Sequence, residues 1–168
     1  SSSPSLLDRG VTNGDVSGLL ALCSLSKQSN LAGYRAGLVA GDPALLSSLL
    51  LARKHLGLIM PTPIQGAVAA TLSEDQHVQE QSGRYRARRE LIFPALRAAG
   101  FRIDHSEAGL YAWASRDEEC WRSVGWCSER GILVTPGSFY GQAGQHHIRV
   151  ALTATDAACE AAASRLRA

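Results

Sequence analysis

The sequence predicts an α/β fold in two parts, on three observations. Two short apolar runs near the start, "GLLALCSL" and "AGLVAGD", have the pattern of buried strands and lead into stretches with marked helix ends. One long helical stretch then gives way to short strands alternating with helices, the pattern of a second, smaller α+β unit. The 168 residues are 45% apolar, enough to fill the core of one ordinary domain or of pieces of two.

Residues 1–18 are rich in Ser, Pro, Gly, Asn and Asp and read as loop or linker. Continuous apolarity in "GLLALCSL" predicts a strand covered on both faces, and "AGLVAGD" a second one closed by Gly41. In "DPALLSSLLLARKHLG", Asp42 is the expected N-cap, Pro43 the first helical residue and Gly57 the stop. "MPTPIQGAVAATL" predicts a proline-started helix, and "SEDQ" a capping box in which Ser73 and Gln76 satisfy each other's backbone donors. A long helix follows to about Gly100, with Pro94 expected to kink or split it. Its run of Arg84, Arg86, Arg88 and Arg89 lies on a helix between Glu80 and Glu90 and reads as a solvated face. Beyond it, "FRIDH", "GLYAWA", "GILVTPG" and "HHIRVAL" are the candidate strands, with helices near 117–130 and after Thr153–Asp156. Glu118 and Glu119 suit the positive end of the first of these helices.

A net charge of +2 supplies no clustered field for nucleic acid or an anionic membrane, so neither partner is expected. The apolar runs fall short of the roughly 20 residues of a membrane helix, and no signal-peptide pattern opens the chain, which reads as soluble and cytoplasmic. Cys23, Cys120, Cys127 and Cys159 are scattered, as expected of free packed thiols. Adjacent His146 and His147 would face opposite ways on a strand, and no ligand spacing predicts a metal. The chain opens at Ser1 without an initiator methionine, as expected of a piece of something longer.

The chemistry concentrates in "SLSKQSNLAGYRAG", residues 24–37. A lysine at the end of a buried strand either snorkels outward or is a functional amine whose pKa is depressed by desolvation. Here Lys27 has the hydroxyls of Ser24 and Ser26 beside it, and Arg35 offers a planar, permanently charged fork suited to a phosphate dianion. An amine next to a phosphate anchor is the requirement of pyridoxal phosphate, whose aldehyde forms a Schiff base with lysine. In "HHIRVALT", Ile148, Val150 and Leu152 alternate onto one face and leave Arg149 on the other, either as a surface charge or as a ligand-binding group.

This stretch resembles the cofactor-lysine signature of the class I/II aminotransferases: a serine three before the lysine, a small residue one before it, and Gly-x-Arg-x-Gly at the end. "MPTPIQGAVAATL", "GLYAWA", "RGILVTPGSFYG" and "HHIRVALTAT" follow in the order and at the spacing of that family's C-terminal half. The resemblance implies the C-terminal part of a fold type I large domain over 1–72, a connecting helix over 73–100 and the small α+β domain over 101–168. It implies that Lys27 is the catalytic Schiff-base lysine and that Ser24, Arg35 and Ser26 hold the phosphate of pyridoxal 5'-phosphate. Arg149 would clamp the substrate α-carboxylate, and Tyr111 would be an aromatic near the substrate or a core ring.

Within the family, "RKHLGLIMPTPIQ" and "VTPGSFYGQAGQHHIRVALTATD" most resemble the actinobacterial succinyldiaminopimelate aminotransferases of lysine biosynthesis. That resemblance implies a homodimer exchanging an amino group between glutamate and N-succinyl-2-amino-6-ketopimelate. An aminotransferase-like effector domain of a transcription regulator and a pyridoxal-phosphate β-lyase are the alternatives. Ahead of Lys27 the sequence has no glycine-rich phosphate turn, no ring-stacking aromatic and no aspartate for the pyridine nitrogen, since Asp15 is too close. About half of a family member is therefore expected here, inactive alone.

Overall fold

The structure, a computed structural model, describes residues 5–168. It is mixed α/β, and its residues divide into two compact units, one ending at Glu80 and the other formed by Gln81–Ala168.

The first unit begins with a four-residue helix, α1 (Arg9–Thr12), capped by the Asp8 carboxylate accepting from the Gly10 N–H, where the sequence reads as loop. Strand β1 (Leu20–Ser24) then pairs antiparallel with β2 (Gly37–Gly41), in a register that sets Leu20 against Gly41 and Ser24 against Gly37. Burial on both faces does not occur: Leu22 is 80% exposed. Continuous apolarity encodes a strand meant to be covered, and this unit contains a two-stranded ribbon with no further strand among the described residues.

Between the strands lies the short helix α2 (Leu25–Gln28), and after them come α3 (Pro43–His55) and α4 (Thr62–Leu72). Asp42 caps α3 as the sequence indicates, accepting from Ala44 N–H at 2.7 Å and also from Gly18 N–H at 2.8 Å. Those backbone donors hold its carboxyl below the ordinary range. Gly57, at φ +69°, ends the helix in the left-handed region. The expected capping box does not form. The Ser73 hydroxyl turns back to donate to the Ala70 carbonyl, and Glu74 accepts from Gln76 N–H instead. Ser73 closes α4 and is thereby unavailable to open the next helix.

Helix α5 (Gln76–Ala98) crosses from the first unit's residues into the second's as one element. Pro94 does not split it, because Ile92, Phe93, Ala95 and Leu96 are all buried and packing on both sides of the proline holds the turns together. In the second unit a four-stranded antiparallel sheet runs in the order β3 (Arg102–Asp104), β4 (Tyr111–Ser115), β6 (His147–Ala151), β5 (Thr135–Pro136). Helices α6 (Cys120–Glu129) and α7 (Asp156–Arg167) complete it, capped by Glu119 and Thr155. Its core gathers Phe93, Leu96, Phe101, Ala112, Ala114, Ile148, Val150, Leu152 and Leu166 into one cluster.

The arginine run on α5 is only half solvated. Arg84 and Arg86 are exposed, but Arg88 reaches Asp156 at 2.6 Å and the Leu152 carbonyl at 2.9 Å. Arg89 donates to the carbonyls of Ser106 and Gly109. Both join α5 to loops more than fifteen residues away, partners that a local charge pattern does not reveal.

Candidate functional site

The first group of site residues is built on the β1–β2 ribbon. Ser24 ends β1 and caps α2, its Oγ accepting from the Ser26 N–H at 3.3 Å. Leu25 is fully buried, and its N–H donates to the Ala36 carbonyl at 3.2 Å, fastening the start of α2 to the residue that precedes β2. Lys27 follows in the only turn of α2 and is exposed. The desolvation that the sequence suggested is thus not supplied by this chain, whose α2 buries Leu25 alone. Lys27 belongs to none of the ion pairs among the described residues.

Arg35 enters β2 from a 3-10 turn over Ala32–Tyr34, at φ +51°, and one guanidinium N–H donates to the Ala32 carbonyl at 3.1 Å. Because Ser24 lies against Gly37, the register brings Ser24, Ser26, Lys27 and Arg35 to one end of the ribbon. Gly37 permits this pairing: a Cβ there would stand 2.8 Å from the Cys23 carbonyl oxygen. Ser24 Oγ is used as an acceptor and keeps its proton to donate, and Arg35 retains further guanidinium N–H groups. Hydroxyl and guanidinium donors beside a primary amine are the right donor chemistry for a phosphorylated aldehyde, so these residues fit pyridoxal phosphate.

A contact that the sequence did not disclose adjoins them. Ser29, which caps the far end of α2, shares a hydrogen bond of 3.0 Å with His77 Nε2 on α5, and His77 Nδ1 lies 2.8 Å from Glu74 Oε1. The His77 contact, with the Gln76 N–H behind it, holds the Glu74 carboxyl below its ordinary value. Forty-eight residues separate Ser29 from His77, and no periodicity or motif links them.

The second group lies on the sheet of the second unit. Ile148, Val150 and Leu152 are buried as the alternation predicts, and Arg149 projects from the opposite face of β6. Its guanidinium carbon lies 4.3 Å from the Tyr111 ring centre and 5.2 Å from that of Tyr140. Its Nε is buried and has no hydrogen-bond partner. A buried donor left unpaired is costly, and a carboxylate is the ligand whose two oxygens match a guanidinium fork.

Tyr140 and Trp113 are the residues here that the sequence reading did not single out. Tyr140 ends a 3-10 turn over Gly137–Tyr140, where Gly137 packs backbone to backbone on Gly144; a Cβ on either would collide with the other's carbonyl. The glycines of "GSFYGQAG" thus shape a turn, and the signal for Tyr140 in the sequence is the aromatic carried within it. His146 and His147 diverge, His147 toward Asp104 and His146 toward the Glu118 carbonyl.

An amine among phosphate-type donors and a guanidinium short of an anion are fittings for an aldehyde cofactor and for a carboxylate. The profile of the family described as aminotransferase class I and II matches residues 4–166, and the chain belongs to that family, whose members depend on pyridoxal phosphate. It is 54% identical over 162 residues to the 4-dedimethylamino-4-oxo-anhydrotetracycline transaminase OxyQ of Streptomyces rimosus, covering 96% of this chain and 45% of that one. A crystal structure of an aminotransferase from Neisseria meningitidis superposes with a TM-score of 0.82 at 32% identity, over 94% of this chain and 42% of that one. A probable N-succinyldiaminopimelate aminotransferase from Thermus thermophilus does so with a TM-score of 0.74 at 26% identity, over 92% and 42%. The chain spans less than half the length of the curated relative and of both solved structures. Among the described residues no helix is long and apolar enough to cross a membrane.

Proposed function

We propose that the protein carrying this chain is a pyridoxal-phosphate-dependent aminotransferase that moves an amino group from an amino acid, glutamate, to a 2-oxo acid or ketone. The observation that carries this reading is the buried, unpartnered Nε of Arg149 between two tyrosine rings, together with the lysine motif at the ribbon's end. N-succinyl-2-amino-6-ketopimelate is the acceptor we favour, on the motif resemblance and the likeness to the Thermus thermophilus enzyme. The 54% identity to a transaminase named for a polycyclic ketone favours a second reading, in which the acceptor is a larger ketone.

Ser24, Ser26 and Arg35 would hold the cofactor's phosphate, and Lys27 would bind its aldehyde carbon. Once bound, the cofactor supplies an electron-poor ring that accepts the charge left when the substrate Cα loses its proton. Lys27 is the group that takes that proton from Cα and later returns one, and among the described residues no ion pair holds it. Arg149 fixes the α-carboxylate with two parallel hydrogen bonds, and Tyr111 keeps the guanidinium on one side of its ring. We further propose that the protein works as a homodimer.

The test is to supply the protein, as its gene encodes it, with cofactor, glutamate and each candidate acceptor, and to follow 2-oxoglutarate. Turnover of roughly one per second or more with one acceptor is expected. Absence of amino-group exchange with every acceptor, in protein that has bound cofactor, would overturn the reading.

A further inference from the structure

We infer that His147, held by Asp104, is a positioning residue for Arg149 and acts through Trp113; the inference rests on the carboxylate-binding role proposed for Arg149. His147 and Arg149 lie two residues apart on the face of β6 turned away from buried Ile148 and Val150. Trp113 stands directly across from Arg149 on β4, and Asp104 directly across from Trp113 on β3. The His147 ring lies flat on the Trp113 indole, with centres 5.1 Å apart and planes 10° apart. Its Nε2 is 3.0 Å from Asp104 Oδ2. Arg102 binds the same Asp104 carboxylate at 2.9 Å and reaches Asp117 at 2.8 Å, so the group that grips His147 is itself fixed.

The indole also meets Tyr140 edge to face at 5.7 Å, and Tyr140 lies 5.2 Å from the Arg149 guanidinium carbon. Asp104, His147, Trp113, Tyr140 and Arg149 thus form one unbroken series of contacts. Nδ1 of His147 and Nε of Arg149 are both buried without a partner, so neither side chain is oriented by a hydrogen bond at those atoms. His147 is oriented by Asp104 at Nε2 and by its stack on Trp113, and Arg149 by the rings of Tyr111 and Tyr140. If His147 turned, it would leave Asp104 and uncover Trp113 together. A tilted indole would displace Tyr140, and the fork of Arg149 would lose one wall. Two-point binding of a carboxylate needs that fork in one orientation. Removing His147 should therefore weaken carboxylate binding while leaving the proton transfer at Cα largely intact.

The experiment uses the cofactor-loaded protein as its gene encodes it and 2-oxoglutarate as the carboxylate probe, read by tryptophan fluorescence and by steady-state kinetics. His147→Ala is expected to raise both the Kd and the KM for 2-oxoglutarate about tenfold with kcat changed by less than about threefold. His147→Phe, which keeps a flat ring on Trp113, is expected to recover most of that loss. The effects of His147→Ala and Arg149→Ala are expected to be far from additive, since the first acts only through the second. A His147→Phe as impaired as His147→Ala would overturn the route through Trp113, and additive effects would overturn the coupling to Arg149. A thermal melt screens each variant, with His147→Gln replacing any that fails to fold. If Arg149→Ala leaves 2-oxoglutarate binding unchanged, the carboxylate assignment itself falls. If Arg149→Ala weakens binding and no His147 variant does, only the present inference falls.

Discussion

The Arg149 guanidinium carbon lies 4.3 Å from the centre of the Tyr111 ring. One face of the charge is thereby committed to a π-system, and the remaining edges are left to an incoming anion. A cation over an aromatic face contributes about 0.5 to 2 kcal/mol, depending on desolvation. Tyr111 is 36% exposed while Nε of Arg149 is shut off from solvent, so the ring acts as a wall between the cation and water.

Replacing that ring separates its face from its hydroxyl. Tyr111→Phe keeps the face and is expected to leave the KM for a carboxylate substrate within about twofold, whereas Tyr111→Leu should raise it about fivefold, the equivalent of about 1 kcal/mol. Steady-state kinetics on both variants check this. Equal damage from both would assign the hydroxyl, and not the ring face, as the working part.

Lys27 and Lys54 are the two lysines of this chain. Lys54 sits in the last turn of α3, and Lys27 at the ribbon's end beside Ser24 and Arg35. Borohydride reduction of the cofactor-loaded protein, followed by peptide mapping, should place the pyridoxyl label on Lys27. Lys27→Ala should abolish both the label and turnover, because the role proposed for Lys27 needs an amine at that position and not merely a cation. A label elsewhere would remove Lys27 from its proposed role.

Local signals were legible in the sequence, and signals that depend on a distant partner were not. The cap of α3, the acidic start of α6, the start of α7 and the alternation of β6 follow from neighbours a few residues apart, and the structure has them. The lysine motif is legible for the same reason, since a register that sets Ser24 against Gly37 is implicit in one short hairpin-like stretch. Burial of β1 is not legible, because apolarity states that a strand is to be covered without stating by what. The role of Ser73 is ambiguous in sequence because one serine can close a helix or open the next, and here its hydroxyl goes to the Ala70 carbonyl. Trp113, Tyr140 and His77 contact partners brought near only by folding, and the arginine run on α5 holds two anchors among four look-alike charges.

That run gives a stability prediction with an internal control. The Arg88 side chain is 12% exposed and serves both Asp156 and the Leu152 carbonyl. Arg88→Ala removes a charged donor from a part-buried carbonyl and should cost about 1.5 to 3 kcal/mol of unfolding free energy. Arg84→Ala and Arg86→Ala, on the exposed side of the same helix, should stay within about 0.5 kcal/mol. Urea midpoints of the three variants decide it, and equal effects would return the whole run to the solvated face that its spacing suggests.

Cys127 should make the fold alkali-sensitive. It is 1% exposed in the core of the second unit, and burial pushes its thiol up to about 11, against the opposing pull of Arg116 and Arg130. In the unfolded chain the thiol ionises near about 8.5. Between those two values the unfolded state has released a proton that the folded state keeps, so the folded state binds more protons and stability falls as pH rises. Below about 8.5 both states are protonated and the group makes no difference to the pH dependence. The loss from Cys127 alone should reach about 2 kcal/mol at pH 10, taking 1.36 kcal/mol per pKa unit. Cys159, buried on α7 and shifted in the same direction, adds to the loss in the same window. Cys127→Ala should therefore be less stable than the parent at pH 7, through the space it vacates, yet lose less stability between pH 7 and pH 10. Urea unfolding at the two pH values measures that difference, and parallel losses in parent and variant would show that the thiol stays protonated in both states or is ionised in both.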